Sequence, residues 1–325
     1  MSSSTIATLS IAGQQIVICG GIFLFITGVV GGPLMLITLL SLRTFRENSC
    51  AFYLIIMSIV NILNLFIALL TFIMTTGFGI NWLNMSRSFC KFRPFYLQFG
   101  NIMSFTCICL ATIDQFFATC SNHRWHQWNQ IKIAKRLILG AILFYLLHGI
   151  PFLLYYDLNI SSTTGNSICG FTNVIFQTYY NVFHFPVLIT SLPVFIILLF
   201  GFLAYRNLQH ISHRTIPLVR RELDKQLTTM ILAEALSEVI FVTPTCILNL
   251  VNYLIGNSSD PFTVALISFF RNLTGIFYYI HFVSPFYIYF CASKRFRQQL
   301  IYVLFKVHYN RWRHQRVVDV ANIDI

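Results

Sequence analysis

The chain has 325 residues, 56% hydrophobic, 16% aromatic and only 10% charged, with a mean hydropathy of +0.70 and a formal net charge of +12. A water-soluble domain carries about 25% charged residues, so an aqueous fold, and with it a soluble catalytic domain, is excluded. The few charges sit between uncharged runs, with none before Arg43, from Asn48 to Ser86, or from Leu158 to Tyr205. Each run holds a helix of ~20 residues, enough to cross ~30 Å of hydrocarbon.

In chain order, an uncharged N-terminus (1–15) leads into the first apolar span, 16–42. Its first flanking positives, Arg43 and Arg46, come after it. A cleaved signal peptide has a basic start and a shorter core, so this span reads as an uncleaved anchor. Further spans follow at 51–76, 94–120, 133–156, 174–205, 226–255 and 262–290. Turn or charge signals such as RTFREN, GFGINWLNMSRS, SNHRWHQWNQIK and YLIGNSSDPF separate them. The apolar runs are continuous and do not alternate every second residue, which predicts helices and not a β-barrel. The expected fold is an all-α membrane protein, a seven-transmembrane helix bundle (16–290). The tail, 291–325, opens with SKRFRQQLIYVLF, where Phe296, Leu300 and Leu304 recur every four residues beside Lys294, Arg295 and Arg297. That pattern predicts a short amphipathic helix lying along the inner leaflet.

Of the 22 Lys and Arg, only Arg87, Lys91, Arg93 and Arg271 fall in alternate segments shared with the N-terminus. Positive flanks resist translocation, so the N-terminus is expected outside, in a multi-pass protein of the plasma membrane. The glycosylation sequons at Asn84, Asn159 and Asn257 fall on the same outer side. The positive charge is therefore a topology signal, and nucleic acid is not an expected partner. Of nine cysteines, only Cys90 and Cys169 face the oxidising side, and a disulfide between them is expected.

Seven spans, an outer N-terminus, an outer cysteine pair and an amphipathic helix after the last span resemble the rhodopsin-like G-protein-coupled receptors. The likeness covers nearly the whole chain. Asp114-Gln115-Phe116 stands where that family usually has Asp-Arg-Tyr, and SIVNIL puts Asn61 where it usually has Asp. The motifs SLPVFI, FVTP and SPFYIY supply Pro193, Pro244 and Pro285 at family-matching positions. Each proline removes a helical hydrogen bond and makes a hinge. The cassette DQFFATCSN, with Arg124-Trp125 after it, is similar to receptor sets expanded in rotifers. The resemblance implies a heterotrimeric G protein as cytoplasmic partner, an extracellular peptide or small molecule as ligand, and no enzymatic activity.

Several positions depart from the family pattern. Gln115 replaces the switch Arg, Val242 the Trp before the sixth-helix proline, and Ser284 the Asn before the seventh-helix proline. Tyr287 and Tyr289 flank Ile288 at the usual Tyr position, and Gly32 stands where the first helix usually has Asn. Asp114, Gln115 and Phe116 are the candidate cytoplasmic switch. Asp114 either pairs with Arg124, another second-loop base or a hydroxyl, holding the resting state, or simply reaches water at the boundary.

Glu234 and Glu238 share one face of the sixth span, being four residues apart. The resemblance places Glu238 beside Asn61, Ser104 and His281, where the family holds a sodium ion. The alternatives are a Na⁺ site with Glu238 supplying the anion, and a pair of neutral, hydrogen-bonded acids. No other cofactor is expected. The same resemblance puts the ligand among Leu97, Gln98, Phe105, Tyr180, His184, Thr245, Arg271 and Tyr278. Leu97 stands where amine receptors carry a counter-ion, which disfavours an amine, and the seventh span has no Lys to bind retinal. Arg271 is a candidate for a ligand carboxylate or a snorkelling interfacial residue.

Other classes fare worse. A membrane zinc hydrolase wants converging His ligands, yet His148, His184 and His281 lie one per span with no HxxxH. A ligand-gated seven-helix channel would put the N-terminus inside, against the charge pattern. A receptor fold that binds ligand without coupling stays open, because the switch residues are altered.

Overall fold

A computed structural model describes residues 3–41, 46–120, 125, 127–160, 167–210, 218–255 and 260–307. Seven helices in it are long and apolar enough to cross a membrane. They are α1 (Ser3–Ser41), α2 (Ser49–Gly77), α3 (Arg87–Thr119), α4 (Ile131–Tyr155), α5 (beginning at Val174 and ending at His210), α6 (Leu218–Ile255) and α7 (Pro261–Ala292). A hairpin of β1 (Tyr156–Ile160) and β2 (Ser167–Phe171) joins α4 to α5, and α8 (Lys294–Ile301) follows α7. The large apolar side chains left exposed, such as Phe23, Phe144, Phe195 and Leu254, face outward as a hydrocarbon-crossing bundle requires.

Local sequence chemistry sets the helix starts. Asn48, Ser86, Asn173, Asp260 and Ser293 each accept the backbone N–H three residues on, those of Ala51, Phe89, Phe176, Thr263 and Phe296. Pro261 occupies the first turn of α7, where its missing N–H costs nothing. The first helix begins at Ser3, not at residue 16: nothing between them breaks a helix, so the expected N-terminal segment is its first turns. Likewise α3 begins at Arg87, seven residues before the expected 94.

The helix interiors carry the hinges. In α5, π-helical turns run from Tyr180 to Ser191 around Pro186, with the Ser191 hydroxyl donating to the Pro186 carbonyl at 2.7 Å. Pro193 opens the α-helical stretch beyond. In α7 the Ser284 hydroxyl donates to the His281 carbonyl at 3.3 Å, the group that Pro285 leaves without its helical donor. Pro244 lies inside α6, and the next residue, Thr245, donates to the Thr274 carbonyl of α7 at 2.7 Å.

α3 is the central post, packing on α2, α4, α5 and α6, while α1 leans on α7 and α2. The short helix expected after the seventh span is α8. Phe296 and Leu300 are buried in the bundle core, with Phe296 against Phe286 and Tyr289. The bundle offers a fixed apolar wall there, while Ile301 and Phe305 are left exposed. Arg297 caps α7 by donating to the Phe290 and Cys291 carbonyls at 2.8 and 2.9 Å.

Candidate functional site

The outer end of α3 is fastened to the hairpin twice. Cys90 and Cys169 form the disulfide, with Cα atoms 5.7 Å apart. The Arg87 guanidinium grips Asp157 of β1 through Nε at 2.8 Å and Nη2 at 2.6 Å, and Lys91 lies 3.3 Å from the same carboxylate. The guanidinium, helped by the Leu158 N–H, holds the Asp157 carboxyl well below the usual carboxylate range. The Asn84 side chain accepts the Cys169 N–H at 3.0 Å, and exposed Asn159 donates to the Phe171 carbonyl at 3.2 Å. Both sequons therefore border the hairpin; Asn257 lies outside the described residues, as does Arg124.

Beneath the hairpin is a cavity of about 250 Å³. One helical face of α3 supplies Arg93, Pro94, Leu97, Gln98 and Asn101; Phe152, Tyr156 and Cys169 form a second side, and Tyr180, His184 and Ile189 of α5 a third. Gln98 donates to His148 Nδ1 at 2.6 Å, so His148 Nε2 carries the proton that it gives to the Tyr179 hydroxyl at 2.7 Å. His184 stacks on His148 at 5.3 Å and on Tyr180 at 5.3 Å. Both His184 ring nitrogens and Arg93 Nε are buried with no hydrogen-bond partner among the described residues. Buried polar atoms are normally matched, which makes these three nitrogens notable in the wall of the cavity.

Four of the expected ligand residues, Leu97, Gln98, Tyr180 and His184, meet at this cavity. The others do not. Phe105 is fully buried and stacks on His281 at 4.7 Å, so it belongs to the core. Tyr278 packs against Phe185 and Phe282, Thr245 is spent on Thr274, and Arg271 is exposed on α7. The cation in the cavity is Arg93, which the charge count had set aside as a flanking positive. Its signal in the sequence was spacing: Arg93 and Leu97 are four apart on one helix and share a face. A second, larger and mainly apolar cavity of about 510 Å³ lies between α3, α4 and α5, with His148 and Tyr179 in its wall.

In the polar core the Ser104 hydroxyl donates to Asn61 Oδ1 at 2.6 Å. Glu234 receives Ser284 at 3.5 Å and has His281 Nδ1 4.0 Å away, while neither Glu238 oxygen has a partner among the described residues. The expected grouping of Glu238 with Asn61, Ser104 and His281 is not hydrogen-bonded together. Glu234 is the acid beside His281.

At the opposite end of α3 Asp114 is 5% exposed, and the Ser49 hydroxyl reaches its two oxygens at 2.8 and 2.7 Å. The acid therefore does not merely reach water. Thr228 of α6 donates to Gln115 Oε1 at 3.1 Å, a neutral bond between the two helices, while Gln115 Nε2 meets no described residue. Phe116 packs edge-on against Phe200 of α5 at 5.5 Å.

A family model described as 7 transmembrane receptor (rhodopsin family) matches residues 31–289. The chain belongs to the rhodopsin-family seven-transmembrane receptors. No curated protein matches it. As a family member it is a multi-pass membrane protein and a receptor, not an enzyme. The receptor's family match runs from within α1 to the inner part of α7, so it takes in the whole of the outer cavity and the Asp114-Gln115 end of α3.

Proposed function

We propose that this receptor takes an extracellular peptide or small molecule into the cavity under the β1–β2 hairpin and activates a heterotrimeric G protein at the cytoplasmic ends of α3, α5 and α6, with its N-terminus outside the plasma membrane. The observation that carries the reading is the unmatched polar set at Arg93 and His184. Its Arg93 sits on the same continuous helix, α3, whose inner end holds Asp114 and Gln115, while His184 comes from α5. A ligand that draws on the outer set gains contacts in one bundle arrangement over another, which is what shifts a receptor's population. The prolines of α5, α6 and α7 supply the bends such a shift needs.

The test is G-protein dissociation across all Gα classes in cells displaying the receptor, stimulated with peptide and metabolite libraries. Response in one class is the expected result. A second reading, a ligand binder that couples weakly or not at all, draws on the neutral Gln115–Thr228 bond in place of the Arg pair. It predicts silence in the wild type and a response restored by Gln115→Arg.

A further inference from the structure

We infer that the outer cavity selects a ligand bearing an aromatic or apolar group next to a carboxylate, with Arg93 as the residue that receives the carboxylate. The inference rests on the outer-cavity reading and narrows it. Its basis is a charge imbalance. Arg87, Lys91 and Arg93 lie on the first two turns of α3, and Asp157 is the acid that meets them. Arg87 holds that carboxylate through two nitrogens and Lys91 takes its remaining side, leaving Arg93 with no ion pair among the described residues. Arg93 is instead turned into the cavity, partly buried, with Nε fully buried and unmet.

A buried, unmet guanidinium Nε calls for an acceptor, and a bidentate carboxylate is the partner its planar fork matches best. His184 adds one N–H donor on the facing wall, the complement a second carboxylate oxygen needs. The remaining walls, Phe152, Tyr156, Tyr180 and Leu97, suit a ring or branched apolar group. At about 250 Å³ the cavity is below the ~300–1,000 Å³ of drug-sized sites. It therefore holds one residue-sized head, either a free aryl-substituted acid or the C-terminal residue of a peptide. A competing amine ligand is rejected by Arg93 itself.

The experiment measures thermal stabilisation and binding of purified full-length receptor in micelles. The probes are 3-phenylpropionate with 3-phenylpropionamide, and N-acetyl-phenylalanine with its amide. The expected result is that at least one acid stabilises the wild type while its amide does not, and that Arg93→Gln weakens that acid on the order of 10–100-fold. Arg93→Lys should lose less than Arg93→Gln, and Arg271→Gln, on the exposed face of α7, should bind as wild type. The better of the two acids separates a free small acid from a peptide terminus. The inference is overturned if no acid outdoes its amide on the wild type, or if Arg93→Gln binds the acid as well as the wild type does. Leu97→Trp, which fills the cavity, separates the two levels. If it abolishes binding while Arg93→Gln does not, only the carboxylate assignment falls. If it leaves binding intact, the outer-cavity reading falls with it.

Discussion

Around the outer end of α3, Arg93 and His184 face a cavity with nitrogen atoms that no described residue meets, whereas at the cytoplasmic end Asp114 and Gln115 both receive hydroxyl protons from neighbouring helices. The outer end is fastened from outside, by a disulfide and a bidentate ion pair to the hairpin, yet open within. The inner end is closed by side-chain bonds between helices. Buried polar groups left unmatched are costly, and the two ends differ in degree: Gln115 Nε2 is also unmet among the described residues, while both Asp114 oxygens and Gln115 Oε1 are reached by hydroxyls.

The strongest way to break this contrast is to unfasten the outer end. Cys90→Ser removes a link spanning 79 residues, and loss of a native disulfide costs about 2–5 kcal/mol. Surface level and thermal stability should fall sharply, and stimulated signalling with them. Next comes Gly149→Val. A Cβ at Gly149 would stand 2.5 Å from the Phe95 ring and 3.1 Å from Gln98 Oε1. The Phe95 ring is held by α3, so α4 must move away, at about 1–3 kcal/mol for overpacking. A lower melting temperature with weakened ligand binding is expected, because Gln98 lines the cavity. Melting at the wild-type temperature would show that the α3–α4 contact is looser than described.

Two smaller changes sharpen the inner half of the comparison. Asp114→Asn replaces one of the two oxygens that the Ser49 hydroxyl reaches with an NH₂, a loss of about 1–3 kcal/mol from the resting arrangement. Thr228→Ala removes a neutral bond worth about 0.5–1.5 kcal/mol. Basal G-protein dissociation should rise in both, more in Asp114→Asn; unchanged basal signalling at equal surface level contradicts the resting-state role. The smallest effect concerns Asp157. Its carboxyl is held below the ordinary value of 3.8, so its contribution is fully present above that value and is lost only as pH falls through the lower folded value. Hairpin docking, followed by hydrogen exchange in β1, should therefore stay level from neutral pH to about pH 4. Because the pair is exposed, added salt should weaken it and Asp157→Asn should remove the salt dependence.

The bundle was legible because burial in hydrocarbon demands a composition that no loop can imitate; charge-free gaps mark the first, second and fifth spans, and turn or charge signals bound the others. Their ends were less so. The starts of α1 and α3 lie further out because Ser, Thr and Gln in α1, and Arg, Ser and Lys in α3, continue a helix without a sustained apolar pattern to announce it. The π-helical turns of α5 follow from how Pro186 and its neighbours share hydrogen bonds, which spacing alone does not reveal. At the site, Leu97, Gln98, Tyr180 and His184 could be placed by family geometry, but Arg93 was hidden among flanking positives. Only the pairing of Asp157 with Arg87 and Lys91, seventy residues apart in sequence for the first of these, shows which cation is left over.

The most direct test of the central claim, that the outer cavity controls the inner end, is ligand-stimulated G-protein dissociation in wild type and Leu97→Trp at matched surface levels. The account predicts a response in the wild type and its loss in Leu97→Trp, with basal signalling unchanged because Asp114 and Gln115 are untouched. A stimulated response of equal potency in Leu97→Trp would contradict it.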